Sequence, residues 1–196
     1  MKHTCGKQAQ RAGLALAAAA AFTMLGIGTA QAQQFTRAEL SLDGSGNLTC
    51  SFRETGLAPN GLYTYTCGAE ALGVMSGCFV RNRFVGPTSL AVFKDVSNAE
   101  EGHPPAPLVA KNNGTINATL TAGIPESHGA ELCTEPAVQR NIAVRWCNAS
   151  LEDMTNGIVG ATASELFAQV ARTGTSVVTV PSCAELLATP ATGGGE

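Results

Sequence analysis

Hydrophobic and polar positions alternate with the period of a half-buried strand over most of the chain after residue 33. Leu48, Cys50 and Phe52 alternate with Thr49, Ser51 and Arg53. Tyr63, Tyr65 and Cys67 alternate with Leu62, Thr64 and Thr66. Between these runs, residues 55–61 (TGLAPNG) are a cluster of turn formers. The pattern predicts a hairpin over 47–67 in which Cys50 and Cys67 face each other across adjacent strands, within reach of a disulfide. Further strands are expected at 35–42, 71–84, 90–96, 115–121, 138–154 and 175–180. Turns are expected at Asp43–Asn47, Gly86-Pro87, Asn113-Gly114 and Asn156-Gly157. In the 138–154 run, Ile142, Val144 and Trp146 share one face and Ala143, Arg145 and Cys147 the other, with Trp146 as a core anchor. Residues 162–171 read either as a strand or as a helix opened by a Thr162/Glu165 capping box, with the preceding Asn-Gly turn favouring a strand. Ser182 and Glu185 form a second capping box that opens a single helical turn. The polar, proline-containing stretches 97–107 and 122–136 are expected to be exposed loops. The sum is an all-β chain: an antiparallel, immunoglobulin-like β-sandwich of about eight or nine strands.

The first 32 residues follow a different rule. Lys2, Lys7 and Arg11 precede an almost uninterrupted apolar run over 12–29, and Ala30-Gln31-Ala32 has the small-x-small form of a cleavage site. Residues 1–32 are therefore expected to be a cleaved signal peptide, 33–188 a single domain and 189–196 a disordered tail. The product is placed outside the cytoplasm, periplasmic or extracellular, with no membrane insertion once the leader is removed.

That division changes the charge and the cysteine count. The full chain carries 12 Lys and Arg against 15 Asp and Glu. Without the three leader cations, nine face fifteen, a net charge of −6 that disfavours nucleic acid and anionic membranes. Cys5 leaves with the leader, so seven cysteines become six: Cys50, Cys67, Cys78, Cys133, Cys147 and Cys183. In an oxidising compartment six cysteines imply three disulfides, with fifteen possible connectivities. Cys50 is assigned to Cys67 from the hairpin. Cys147 lies opposite Leu166 about the Asn156-Gly157 turn and so needs a distant partner, for which Cys183 is placed to pin the C-terminal end. Cys78 and Cys133 remain and close the middle of the chain. No C-x-x-C spacing points to a metal.

The phrases C-S-F-R-E-T-G-L (50–57), Y-T-C (65–67), N-G-T-I-N-A-T-L (113–120) and W-C-N-A-S-L-E-D-M-T-N-G (146–157) resemble a group of uncharacterised secreted bacterial proteins. The resemblance spans residues 40–171 and is most specific in the first phrase. It implies a single immunoglobulin-like domain, and implies no activity and no catalytic residue.

Candidate chemistry is sparse. His103 and His128 lie in the long loops without ligand spacing. Asp43, Ser45, Asn47, Thr49 and Glu54 fall at calcium-loop offsets, but the offset that needs glycine is Leu48, so a plain turn is expected. There is no G-x-S-x-G elbow, and no glycine-rich loop precedes a helix. The acidic pairs Glu100/Glu101 and Glu152/Asp153 are read as solvated charge, and Arg53/Glu54 as a local charge pair. Four N-x-S/T sequons, at Asn47, Asn113, Asn117 and Asn148, follow from an Asn- and Thr-rich surface. The expectation is a monomeric, non-catalytic exported module, without metal or cofactor, that binds a protein or glycan partner through loops 97–107 and 122–136. The alternatives are an assembly subunit of a surface structure, or a hydrolase with an unrecognised site.

Overall fold

The computed structural model describes residues 32–99, 103–126, 132–174 and 178–192. By its internal contacts the chain divides into Met1–Ala30 and Gln31–Glu196, and every described residue belongs to the second unit. That unit is all-β with antiparallel pairing throughout. Its strands are β1 (Gln34–Leu42), β2 (Leu48–Thr55), β3 (Leu62–Tyr63), β4 (Tyr65–Val80), β5 (Arg83–Ser97), β6 (Leu108–Val109), β7 (Ile116–Ala122), β8 (Val138–Asp153) and β9 (Ile158–Gln169). One short helix, α1 (Cys183–Ala188), follows. A three-stranded sheet has the order β1-β2-β7, a four-stranded sheet the order β5-β4-β8-β9, and β3 pairs with β6.

The two larger sheets bury a common core. Leu48, Cys50 and Phe52 of β2 meet Tyr65, Cys67, Leu72 and Val74 of β4 and Val144, Trp146 and Leu151 of β8. Residues 47–67 are thus not a hairpin. β2 and β4 pair with other strands, and the 56–64 segment carries the chain from one sheet to the other. The Cys50–Cys67 disulfide spans the sheets, with Cα atoms 5.9 Å apart. Trp146 is fully buried in the same core, and its indole N–H donates to the Gly46 carbonyl at 2.9 Å. Gly46 has φ +88, and a Cβ there would lie 2.7 Å from Val144 Cγ2, so the turn that meets the indole requires glycine.

β4 is buried along nearly its whole length because it serves two cores. Ala69 faces the three-stranded sheet, Glu70 is exposed, Ala71 faces the other side, and Leu72 returns to the first. The slip runs across the sheet. Opposite Glu70 stand Asp95 of β5 (φ 51) and Asn148 of β8 (φ 53), both in left-handed backbone. Asn148 Nδ2 donates to Glu70 Oε2 at 2.8 Å across this row. Beyond it, Ala71, Phe79, Val92, Ile142 and Cys147 form a second core on the outer face with Val180 and Leu186 of the C-terminal segment. Ile142 belongs to this second core, so it does not share a face with Val144 and Trp146. A Cβ on Gly73 would lie 2.8 Å from Leu186, which is why α1 can lie so close to the sheet.

The helix begins at Ser182 through a complete capping box with Glu185. Lys94 Nζ donates to the Leu186 and Leu187 carbonyls at 2.8 and 2.9 Å, satisfying carbonyls the helix end leaves open. Cys147–Cys183 fastens the start of the helix to β8, and Cys78–Cys133 fastens the 132–137 loop to β4.

Four further expectations change. The strand expected over 71–84 crosses a turn at Arg81-Asn82, and Gly86-Pro87 lies inside β5 as a cis peptide rather than ending a strand. Asn113-Gly114 closes a local turn, Gly114 N donating to Lys111 O at 2.8 Å, but β6 and β7 do not pair with each other. Residues 178–180 are not a strand, and 175–177 lie outside the described residues. The favoured strand reading of 162–171 holds as far as Gln169: β9 pairs with β8 in a ladder that includes Leu166 with Trp146, so the capping box that Thr162 and Glu165 could form is unused.

Candidate functional site

The turn with calcium-loop spacing satisfies itself. Asp43 Oδ1 accepts from the Ser45 and Asn47 amides at 2.8 and 2.9 Å, and Oδ2 accepts from Asn47 Nδ2 at 2.9 Å. These bonds, the Asn47 side chain foremost, hold the Asp43 carboxyl below its ordinary value. Amide donors occupy the oxygens that a cation would need. Among the described residues no group of three or more His, Cys, Asp or Glu gathers as a metal site. His103 is exposed; His128, Glu100 and Glu101 lie outside the described residues.

The structure brings together a pair of carboxyls that the sequence reading kept apart. Glu54 ends the buried face of β2 and Asp153 ends the buried face of β8; both are fully buried. Arg53 points to solvent on the opposite face of β2, so Arg53 and Glu54 are not a local charge pair. Asp153 likewise is not solvated charge, whereas its neighbour Glu152 is partly exposed. Glu54 Oε2 accepts the Tyr65 hydroxyl at 2.9 Å, and Oε1 has no conventional donor. Asp153 Oδ1 accepts the Thr155 and Asn156 amides at 2.9 and 3.2 Å, while Oδ2 accepts Asn156 Nδ2. Burial pushes the Glu54 carboxyl up to about 7; the Tyr65 bond opposes the rise, and the charge and hydrogen bond of Asp153 add to it. Burial and the Glu54 bond also push the Tyr65 hydroxyl above its ordinary value. The charge of Asp153 therefore favours the protonated Glu54 carboxyl, and the two acids lie near each other at the ends of β2 and β8. Phe35, Phe52 and Tyr65 stack edgewise or tilted with centroids 4.5–6.3 Å apart. Both carboxyls are shielded from solvent, and their donors are the Tyr65 hydroxyl for Glu54 and the 155–156 turn for Asp153.

Groups suited to recognition collect at the other end of the four-stranded sheet. β4 and β8 have 16 residues each, against 8 in β2 and 7 in β7, so the larger sheet continues past the core it shares with the smaller one. This extension carries the β4–β5 turn, with Val80 paired to Arg83 and a two-residue loop, Arg81-Asn82, between them. Both loop residues are left-handed, φ 48 and 66, the form that matches the twist of a hairpin. Arg81 and Arg83 are exposed. Arg140 of β8 lies with its guanidinium 6.0 Å from the Phe79 ring centroid and donates to Asn82 Oδ1 at 2.7 Å. Phe79 in turn packs edgewise on Phe84, centroids 5.6 Å apart. Val80, Arg81, Arg83, Phe84 and Val85 line an open hollow of about 640 Å³. The loop fastened by Cys133 lies against β4, and its Glu135 and Pro136, with Gln139 of β8, line a separate hollow.

Both groupings had a signal in the chain. Glu54 continues the series Leu48, Cys50, Phe52, and Asp153 continues Ala149, Leu151; the strand period that placed the core also placed these acids within it. At Arg81-Asn82 the signal is an asparagine between two apolar runs, obscured by the long unbroken apolar character of β4. Comparison of the chain with protein-family models, with curated proteins and with solved structures found no match.

Proposed function

We propose that this chain is an exported immunoglobulin-like module, non-catalytic and monomeric, that binds a protein or glycan at the cell envelope or surface. The leader pattern of residues 1–32 and the grouping with secreted bacterial proteins through the 50–57 phrase belong to the same reading. Three intramolecular disulfides suggest a non-cytoplasmic environment, and among the described residues no helix is long and apolar enough to cross a membrane.

The strand orders support the immunoglobulin-like assignment. β1-β2-β7 and β5-β4-β8-β9 correspond to strands A-B-E and C′-C-F-G of that architecture. One departure is specific. An antibody domain joins strands B and F by its disulfide and places its tryptophan on C, whereas here the bridge joins B to C and Trp146 stands on F. The same two sheets are pinned by the same kinds of residue, exchanged between neighbouring strands.

The observation that carries the binding reading is the segregation of polar chemistry. The buried carboxyls Glu54 and Asp153 are consumed in the fold, whereas exposed arginines, aromatic rings and the loop held by Cys133 share the projecting end. Arginine beside aromatic side chains is the composition of contact surfaces. Of the two expected contact loops, the described residues 132–136 of the second lie beside this end, which supports a part for them in contact. The test is retention of the exported, oxidised chain on immobilised bacterial-envelope and host-surface fractions. Saturable retention on at least one is expected; passage through all of them contradicts the function.

A further inference from the structure

The hairpin turn at the projecting end is built in an unusual way. A two-residue turn with both positions left-handed favours Asn, Asp or Gly at the first position, yet here that position is Arg81. The side chain is long and charged, it is exposed, and among the described residues it makes no ion pair. Arg83, on the far side of the turn, is in the same condition. A left-handed backbone at a bulky residue points to function when the surrounding structure holds it there. The surroundings do so: the Val80–Arg83 pair closes the turn, and Asn82 Oδ1 is held by Arg140, itself stacked over Phe79. Arg140 is thus engaged in positioning, and two guanidiniums remain to face a ligand. They stand over a hollow whose other walls are Val80, Phe84 and Val85.

We propose that this hollow is a binding site for an acidic saccharide. Arg81 and Arg83 would pair with a carboxylate or sulfate on the sugar, and the Phe84–Val85 wall would take the apolar face of the ring. This rests on the binding-module reading above and specifies its ligand. Three observations favour a saccharide over other anionic partners. The hollow, about 640 Å³, is open and formed by one hairpin, so it suits one or two sugar rings laid on the surface with their other face in water. Phe84 is partly buried against Phe79, so the tip lacks the projecting aromatic side chains that insert into a lipid surface. The chain after residue 32 carries a net charge of −6, so a broad anionic surface meets net repulsion, whereas an acidic group on a flexible sugar chain can reach the two arginines alone. Glu135, in the adjoining loop, lines its own hollow and not this one.

The experiment uses the exported, oxidised chain and its R81N/R83Q variant, with Lys111→Gln as a charge control away from the tip. Asparagine suits the left-handed position, so the double variant keeps the turn, and its thermal transition is measured to verify the fold. Binding to polygalacturonate, dextran sulfate, neutral dextran of the same length, poly-glutamate and phosphatidylglycerol vesicles is measured at low salt and at half-molar salt. The expected result is saturable binding to polygalacturonate or dextran sulfate and none to neutral dextran. Affinity should fall about tenfold for each arginine removed, by the worth of a charge-assisted hydrogen bond, with a shallower salt dependence. Lys111→Gln should bind as the parent does. Absence of binding to both acidic polysaccharides, equal binding by the folded double variant, or equal or tighter binding to poly-glutamate or the vesicles overturns the proposal. If the parent is still held by an envelope or host-surface fraction and R81N/R83Q is held equally well, the saccharide site fails while the binding-module function stands. If neither acidic polysaccharide nor any fraction holds the parent, both fail.

Discussion

Replacing Glu54 with glutamine should alter how stability depends on pH, in a direction the structure determines. Glu54 has an ordinary value of 4.5 and is pushed up to about 7 in the fold. The folded chain therefore holds this proton more tightly than the unfolded chain does. Between pH 4.5 and 7 the unfolded state has lost the proton while the folded state keeps it, so unfolding releases a proton and stability falls as pH rises. Below 4.5 both states are protonated and above 7 neither is, so the contribution is level at each end. A shift from 4.5 to about 7 corresponds to about 3 kcal/mol across the window. Physically this is chiefly the cost of burying a carboxylate away from water; the Tyr65 hydroxyl offsets part of it and the nearby Asp153 adds to it. Glutamine keeps the shape, can still accept from the Tyr65 hydroxyl and can donate towards Asp153 at every pH. The assay is urea unfolding of the oxidised chain, followed by the fluorescence of Trp146, at half-unit steps from pH 4 to 9. The difference between parent and Glu54→Gln isolates this group from Asp43 and Glu185, whose lowered values act at more acidic pH with the opposite slope. The variant should gain on the parent progressively from pH 4.5 to 7 and hold that gain above. Parallel profiles would refute the buried acid pair.

The remaining predictions concern single contacts. Tyr65→Phe should cost about 1–3 kcal/mol, because it strips Glu54 Oε2 of its donor, and should move the Glu54 transition to higher pH, since that bond opposes the rise; the same titration measures both. Leu186→Ala should cost about 2–5 kcal/mol, because the side chain is fully buried in the outer core against Gly73 and Val180, and denaturant unfolding reads the loss. A C147S/C183S variant should lose about 2–5 kcal/mol and become open to proteolysis between Ala171 and Ser182, while the inter-sheet core keeps its Trp146 emission. Gly46→Ala should destabilise by more than 1 kcal/mol and red-shift Trp146 emission, because the left-handed backbone and the 2.7 Å approach to Val144 both forbid the added methyl beside the indole's acceptor.

Strand period carried most of what the chain disclosed. The alternation at 48–52 and 138–154 located β2 and β8 and put Trp146 in the core. The same period could not say which strands pair. Cys50 and Cys67 are joined, but the hairpin geometry that brought them together was mistaken: turn formers at 55–61 suit a hairpin and a crossover between sheets equally well, and only tertiary packing decides. The row at Glu70, Asp95 and Asn148 shows a second limit. Each is an ordinary polar residue within a run, yet aligned across three strands they shift the pleat and give β4 two cores, which replaces its alternation with burial on both faces. That stretch hid the Arg81-Asn82 turn and with it the projecting end. Glu54 and Asp153 were legible in position but not in role, because strand alternation marks a buried place and a carboxylate is ordinarily read as exposed.

Recognition is proposed to take place at the projecting end of the larger sheet. Hydrogen exchange on the exported chain, free and bound to whichever envelope or host-surface fraction holds it, tests this most directly. Added protection is expected over residues 78–90 and 132–140, with the Glu54–Asp153 end unchanged. Protection confined to the outer face at Glu70 and Asn148, or to the Asn156 turn, with none at Arg81–Val85, would contradict it.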